Sequence, residues 1–302
     1  MDLTRMSSPI LLKGDHKRAY RDPCAIYQDG IWRLYYTLVE TEEDGRVYLY
    51  TAMSQSADLC YWSEPLILTP KDVNRNFSSP GNIIRFDNRW RMCLQSYPRP
   101  HGEKYGNLDC RIWMMESEDL VNWTAPELLR VKGDHVDVKD MGRMIDPYFV
   151  ENASKPGEWF CFYKQNGVSV SKTENFQQWS YCGREEAGEN VCIIRQGGEY
   201  VMFHSPENGI GIMRSHDLLH WRNEDPLITL GQQDWDWARG RLTAGFVLDL
   251  RQTKDVEAFV MFFHGSGPED EQILFDTHAS IGIAWSRDLK IWEWPRKMHE
   301  LI

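Results

Sequence analysis

Apolar and polar residues alternate along this chain in short runs, and turn-forming pairs separate the runs. In the first stretch "CAIYQDG" (24–30), "IWRLYYTLVE" (31–40) and "VYLYTAMS" (47–54) follow one another, with Asp29-Gly30 between the first two. The same order returns as "GNIIRFDN", "RWRMCLQSY" and "CRIWMMES" between 81 and 117, with Asp87-Asn88 as the punctuation. It returns again as "VCIIRQGG", "EYVMFHS" and "GIGIMRS" (191–215), and as "GFVLDLRQ", "EAFVMFFHGS" and "SIGIAWS" (245–286). Asp-Gly and Gly-Gly between apolar runs mark hairpins, and the aromatic and β-branched content of the runs marks strands. No stretch of a dozen residues carries the 3.6-residue periodicity of an amphipathic helix.

A short phrase closes each unit. "SADLCYW" (56–62), "SEDLVNW" (117–123), "TENFQQW" (173–179), "SHDLLHW" (215–221) and "SRDLKIW" (286–292) share a Ser or Thr, then Asp or Asn, Leu or Phe, and a final Trp. The tryptophans fall at 62, 123, 179, 221 and 292, at uneven intervals. Solenoids hold a tighter period, whereas propeller blades tolerate insertions because their loops project from the two faces. Five units of three or four strands predict an all-β, five-bladed β-propeller, a single domain over 1–302 with a central funnel. The phrase reads as a turn capped by its polar side chains, with Leu and Trp packed between sheets. Its role is structural.

Composition narrows the partners. The chain carries 34 Lys and Arg against 45 Asp and Glu, a formal net charge of −11, with no basic block. That excludes nucleic acid and anionic membranes as natural partners. Aromatics make up 13% of the chain, which suits strands and equally suits stacking on sugar rings. The seven cysteines are scattered and form no C-x-x-C pair, so neither a zinc site nor a disulfide scaffold is expected. His101, His135 and His204 have no metal-ligand spacing. No run of eighteen apolar residues is present, and the first residues lack a basic-then-apolar signal pattern. The expectation is a cytoplasmic protein, or a secreted or periplasmic one if an export segment precedes this sequence. The oligomeric state is not readable.

Asp-Pro occurs twice in one local context, as "YRDPCAIYQDG" with Asp22 and as "RMIDPYFVE" with Asp146, each leading into an aromatic strand. In the fourth unit "GENVCIIRQGGEYVMF" places Glu189 at the corresponding entry. A propeller gathers the first strand of every blade around its channel, so three carboxylates from blades one, three and four converge on one funnel.

These motifs resemble the five-bladed propeller glycoside hydrolases of family 43 and its relatives, the arabinofuranosidases and β-xylosidases. The resemblance covers essentially the whole chain, including "FSSPGNIIRFDNRWRMCLQSY" in blade two. It implies that Asp22 is the general base and Glu189 the general acid of an inverting glycosidase. Asp146 then tunes the acid and orients the substrate, a small carbohydrate. Two departures stand out. Asn190-Val191 follows Glu189 where the family has Gly-Pro, with Glu185 and Glu186 as rivals for the acid. Blade five has Arg241 and Thr243 near the place of a channel histidine that often helps hold a metal. No metal site and no organic cofactor is therefore expected, and a structural calcium is disfavoured.

Further candidates for substrate contact are Arg21 and Arg143 beside the two aspartates, Trp235 and Trp237 in "QQDWDWARGR", Arg241, and His264 in "FFHGSG". His16 is a weaker candidate. Two other functions compete: a non-catalytic propeller that binds carbohydrate or protein, and a glycoside phosphorylase holding phosphate with Arg143, Arg239 and Arg241.

Overall fold

A computed structural model describes residues 3–269 and 276–295. Within them, five antiparallel sheets form the five blades of a propeller. A short strand β1 (Ile10–Leu12) opens the chain. Blade one consists of β2 (Arg18–Gln28), β3 (Ile31–Thr41), β4 (Val47–Ser56) and β5 (Leu66–Ile67). Blade two holds β6 (Ile83–Phe86), β7 (Arg89–Gln95), β8 (Ile112–Ser117) and β9 (Glu127–Leu128). Blade three is β10 (Ile145–Glu151), β11 (Trp159–Lys164), β12 (Val168–Thr173) and β13 (Ser180–Glu185). Blade four is β14 (Glu189–Gln196), β15 (Glu199–Ser205), β16 (Ile210–Ser215) and β17 (Arg222–Ile228).

Blade five is assembled from both ends of the chain. Its own strands are β18 (Arg241–Asp249), β19 (Phe259–Ser266), β20 (Ser280–Ser286) and β21 (Trp292–Glu293). The N-terminal β1 adds to the same β20, opposite Ile281 and Gly282. The ring is thus closed by pairing residues from opposite ends of the sequence. The repeat pattern did not reveal this, because "PILL" (9–12) has no turn and no partner run beside it.

The recurring phrase is a capped turn in every blade. In blade one, Ser56 Oγ accepts from the amides of Asp58 and Leu59, and Asp58 Oδ1 accepts from those of Cys60 and Tyr61. Ser117 with Asp119, Thr173 with Asn175, Ser215 with Asp217 and Ser286 with Asp288 repeat the scheme. The cap forces the next residue into left-handed backbone, with φ 65° at Leu59, 66° at Leu120, 58° at Phe176, 69° at Leu218 and 67° at Leu289. All five side chains are buried.

In blades two, four and five the closing Trp then packs edge-on against an aromatic of the preceding blade, whereas Trp179 of blade three meets Phe149 and Phe176 of its own blade. Trp123 meets Tyr35 at 5.8 Å, Trp221 meets Phe162 at 6.0 Å, and Trp292 meets Phe203 at 6.3 Å. T-shaped pairs of this kind add to the burial of both rings. No helix among the described residues is long and apolar enough to cross a membrane.

Candidate active site

The inner strands β2, β6, β10, β14 and β18 line the channel; β2, β10, β14 and β18 each break register once, and in blade two the break lies just before β6. Pairing shifts between Arg21 and Cys24, between Ile145 and Tyr148, between Glu189 and Cys192, and between Thr243 and Phe246. In blade two the break follows the Ser78–Gln95 bridge. Each break contains one residue with positive φ: Asp22 (48°), Ser79 (48°), Asp146 (51°), Asn190 (52°) and Ala244 (55°). These bulges re-aim one side chain per blade toward the axis.

Asp22-Pro23 and Asp146-Pro147 therefore lie inside their strands, not at the strand ends that the sequence suggested. Proline is accommodated in the bulge, where no ladder amide is required. Glu189 stands one residue before the bulge of its blade, at the register of Arg21 and Ile145. Asn190 takes the bulge itself, in a conformation that Asn tolerates better than most residues.

A funnel of about 550 Å³, counting the open space at its mouth, lies over this ring. Asp22, Asp146 and Glu189 all line it, with Arg21, Arg241 and His264. A narrower space of about 290 Å³ continues below, between Asp22, Ser79, Asp146, Asn190 and Ala244.

Each carboxylate has its own environment. Asp22 Oδ2 accepts from Thr37 Oγ1 at 2.8 Å. Burial pushes its proton affinity up, while Arg21, Thr37 and Arg241 pull it back and Glu189 adds to the rise. Asp146 Oδ1 accepts from Ser79 Oγ at 2.8 Å, and its amide donates to Gln95 Oε1 at 2.7 Å. Burial, then the neighbouring Glu189 and Asp22, drive the Asp146 carboxyl far above the usual carboxylate range. Glu189 Oε1 accepts from Arg241 Nη2 at 2.5 Å.

Two buried histidines hold the backbone beside the carboxylates. The Asp22 amide donates to His264 Nδ1 at 3.1 Å, and the Gly188 amide donates to His204 Nδ1 at 2.9 Å. His264 is held neutral by burial and by Arg21 and Arg241, and His204 falls to about 4 through burial and Lys164. Arg21 Nη2 also approaches His264 Nε2, at 3.2 Å. A neutral imidazole accepts at one nitrogen only, so the ring serves one of these donors at a time. With guanidinium groups of Arg21 and Arg241 in the same wall, the donor set does not suit a metal cation. Among the described residues no group of His, Cys, Asp and Glu is arranged to hold one.

Other candidates lie elsewhere. Trp235 and Trp237 stack on each other and on Phe263, and line a separate cavity with Lys13 and Trp294 that shares no residue with the funnel. Gly265 and Gly282 leave room for the Trp237 ring on the blade-five sheet, so these rings pack against the blade instead of facing the carboxylates. Arg143 lies over Tyr97 and donates to the Gly106 carbonyl, behind Asp146 and outside the funnel lining. Arg239 pairs with Asp236 at the surface. The phosphate-holding trio of Arg143, Arg239 and Arg241 is therefore not assembled. Glu185 ends the outer strand β13 and Glu186 is exposed, so neither reaches the funnel. His16 is exposed and lines none of it.

Sequence reasoning missed Arg99 and Asp276, a buried pair with Nη1–Oδ1 and Nη2–Oδ2 both at 2.8 Å in the funnel wall. Neither sits in a recognisable motif, and 177 residues separate them. Beyond Glu189 and Arg241 lies a second cleft of about 750 Å³, bordered by Lys164, Ser205, Glu207 and Asn208.

No family model matches the chain, and no curated protein does. Solved structures do. A thermostable family-43 glycoside hydrolase superposes with a TM-score of 0.61 at 12% identity, over 95% of each chain. The catalytic domain of the Coprinopsis cinerea GH62 α-L-arabinofuranosidase gives 0.63 at 13% identity, over 89% of this chain and 91% of that one. A family 117 glycoside hydrolase from the marine bacterium Zobellia galactanivorans gives 0.63 at 12% identity, over 95% and 92%. At such identities the likeness is one of fold: this chain is a five-bladed propeller of the architecture those glycoside hydrolases use.

Proposed function

We propose that this protein is a glycoside hydrolase that releases a terminal sugar with inversion, from an α-L-arabinofuranoside, a β-xyloside or a related glycoside. The observation that carries the reading is the convergence of Asp22, Asp146 and Glu189, from three blades, on one funnel. The glycone occupies the funnel. The leaving group crosses Glu189 into the cleft beside Lys164 and Asn208.

Inversion needs one carboxylate to activate water and another to protonate the leaving oxygen, about 6.5–9.5 Å apart. Asp22 suits the base, because Arg21 and Thr37 favour its ionised form against burial. Asp146 has weaker compensation, so its carboxyl keeps a proton and donates a hydrogen bond to the sugar. Glu189, at the mouth of the second cleft, is the acid.

The test is sugar release from aryl arabinofuranosides, xylosides, galactofuranosides and fructosides, comparing wild type with Asp22→Asn. The expected result is turnover that the substitution lowers by roughly 10²–10⁴-fold, with the inverted anomer formed first by proton NMR. The retained anomer would overturn the mechanism, and silence from wild type would overturn the hydrolase.

One observation favours a second reading, a propeller that binds carbohydrate without cleaving it. Glu189 is engaged by Arg241 in an ion pair, and an ionised carboxylate only accepts hydrogen bonds. Sugar binding without turnover would select this reading.

A further inference from the structure

Four of the five bulge residues around the channel are polar, and three of these four have partners. Asp22 is held by Thr37, and Ser79 and Asp146 bond each other. Asn190 is the exception. Its carboxamide has no hydrogen-bond partner among the described residues, although Asn190 borders both the funnel and the narrower space beneath it. The residue shares the backbone conformation of Asp22 and Asp146 to within a few degrees of φ, and that geometry directs all three side chains toward the axis.

A left-handed position that glycine would fill without a side chain here carries a carboxamide. A side chain kept there without any protein partner is available to a ligand. A carboxamide offers two donors and an acceptor on one rigid plane, a pattern that matches two neighbouring hydroxyls. Asn190 lines the funnel and the space beneath it and not the cleft beside Lys164, which puts it on the sugar side of Glu189.

We propose that Asn190 reads the glycone: its carboxamide hydrogen-bonds a pair of adjacent hydroxyls on the sugar seated in the funnel and selects for that diol. The inference rests on the funnel being a sugar site, and it adds which residue sets the choice of sugar. Asn190 makes the chain discriminate against an analogue lacking one of the two hydroxyls. The penalty is roughly ten- to a hundredfold in affinity, that of leaving a buried amide donor or acceptor unmade.

The experiment measures binding of L-arabinose, D-xylose, D-galactose and D-fructose, with their 2-deoxy and 3-deoxy analogues, by ligand-observed NMR. Wild type is compared with Asn190→Gly, which suits φ 52° and removes the carboxamide. Asn190→Asp keeps the shape and removes the donors, and serves if the glycine variant fails to fold. Expected is one preferred sugar, weaker binding of each deoxy analogue that lacks a hydroxyl of the diol, and loss of that discrimination in both variants with unchanged thermal unfolding. Equal weakening toward all analogues, unchanged discrimination, or no binding of any probe to wild type would each overturn the proposal. Binding that depends on Asn190 without hydrolysis of the matching aryl glycoside removes the hydrolase and leaves this inference standing. Hydrolysis with discrimination unaltered in Asn190→Gly does the reverse.

Discussion

Asp22 and Asp146 are joined through Ser79. The Ser79 hydroxyl donates to Asp146 Oδ1 at 2.8 Å, and its amide donates to Thr37 Oγ1 at 2.7 Å. The Thr37 hydroxyl in turn donates to Asp22 Oδ2 at 2.8 Å. Two carboxylates from different blades thus share one polar chain, anchored on the bulge of a third blade. In a buried network of this kind, each member sets the hydrogen-bonding role of the next.

Thr37→Val cuts that chain on the Asp22 side. The Thr37 hydrogen bond favours the ionised carboxylate, so its loss raises the proton affinity of Asp22 further. In the proposed role of base, Asp22 must be ionised to work. The acid limb of the kcat/KM profile should therefore move to higher pH, with the maximum reduced roughly tenfold for one lost hydrogen bond. The pH profile of sugar release checks both, and an acid limb that stays in place would show that Asp22 does not control it.

Asp146→Asn should stabilise the fold at neutral pH. The native Asp146 carboxyl keeps its proton at pH values where the unfolded chain has released it. Over that window the native state binds more protons, so stability falls as pH rises from the ordinary carboxylate range to the raised native value, and is then level. Asn carries no such penalty. Its advantage is expected to be absent at pH 3.5, to grow as pH rises through the window, and to level off above the raised native value. Urea unfolding of both proteins between these limits tests the sign, and activity should fall in the same variant.

Much of this arrangement is legible in the sequence, and the reason is the repeat. Four copies of Ser-x-Asp-Leu-x-x-Trp and one Thr-x-Asn-Phe-x-x-Trp set the blade count, because each makes the same capped turn. The two Asp-Pro pairs identify carboxylates because proline inside a strand needs a bulge, and bulges re-aim side chains. What the sequence hides is whatever depends on partners brought together by closure of the ring. His264 against the Asp22 amide, Arg99 against Asp276 and β1 against β20 join residues 177 to 272 positions apart. Trp235 and Trp237 were misleading for a related reason. A Trp pair beside acids looks like a sugar platform, but the glycines that bed Trp237 into blade five lie on other strands.

The Arg99–Asp276 pair is the structural cost of the funnel wall. Both side chains are at least 95% buried, and both border the funnel. Removing one partner strands the other charge, so Asp276→Asn should destabilise by about 3–5 kcal/mol. Replacing both together, as Arg99→Met with Asp276→Leu, should restore most of that loss, because a well-packed apolar pair avoids the desolvation of two ions. Thermal unfolding of the single and double variants tests the coupling. A double variant as unstable as the single one would mean that the pair organises the wall beyond its own charges.

The capped turns carry the fold, and Ser117 shows how to measure one. Its hydroxyl accepts from the amides of Asp119 and Leu120 in the turn that delivers Trp123 to Tyr35. Ser117→Ala leaves both amides without that acceptor and frees Leu120 from its left-handed conformation at φ 66°. The expected loss is about 1–2 kcal/mol. Glu118 occupies a variable position of the same phrase and is largely exposed, so Glu118→Ala should stay within about 0.5 kcal/mol of wild type. Chemical denaturation of the two variants separates the role of the phrase from that of its surface. If Glu118→Ala costs as much as Ser117→Ala, the turn is held by surface charge and the cap is incidental.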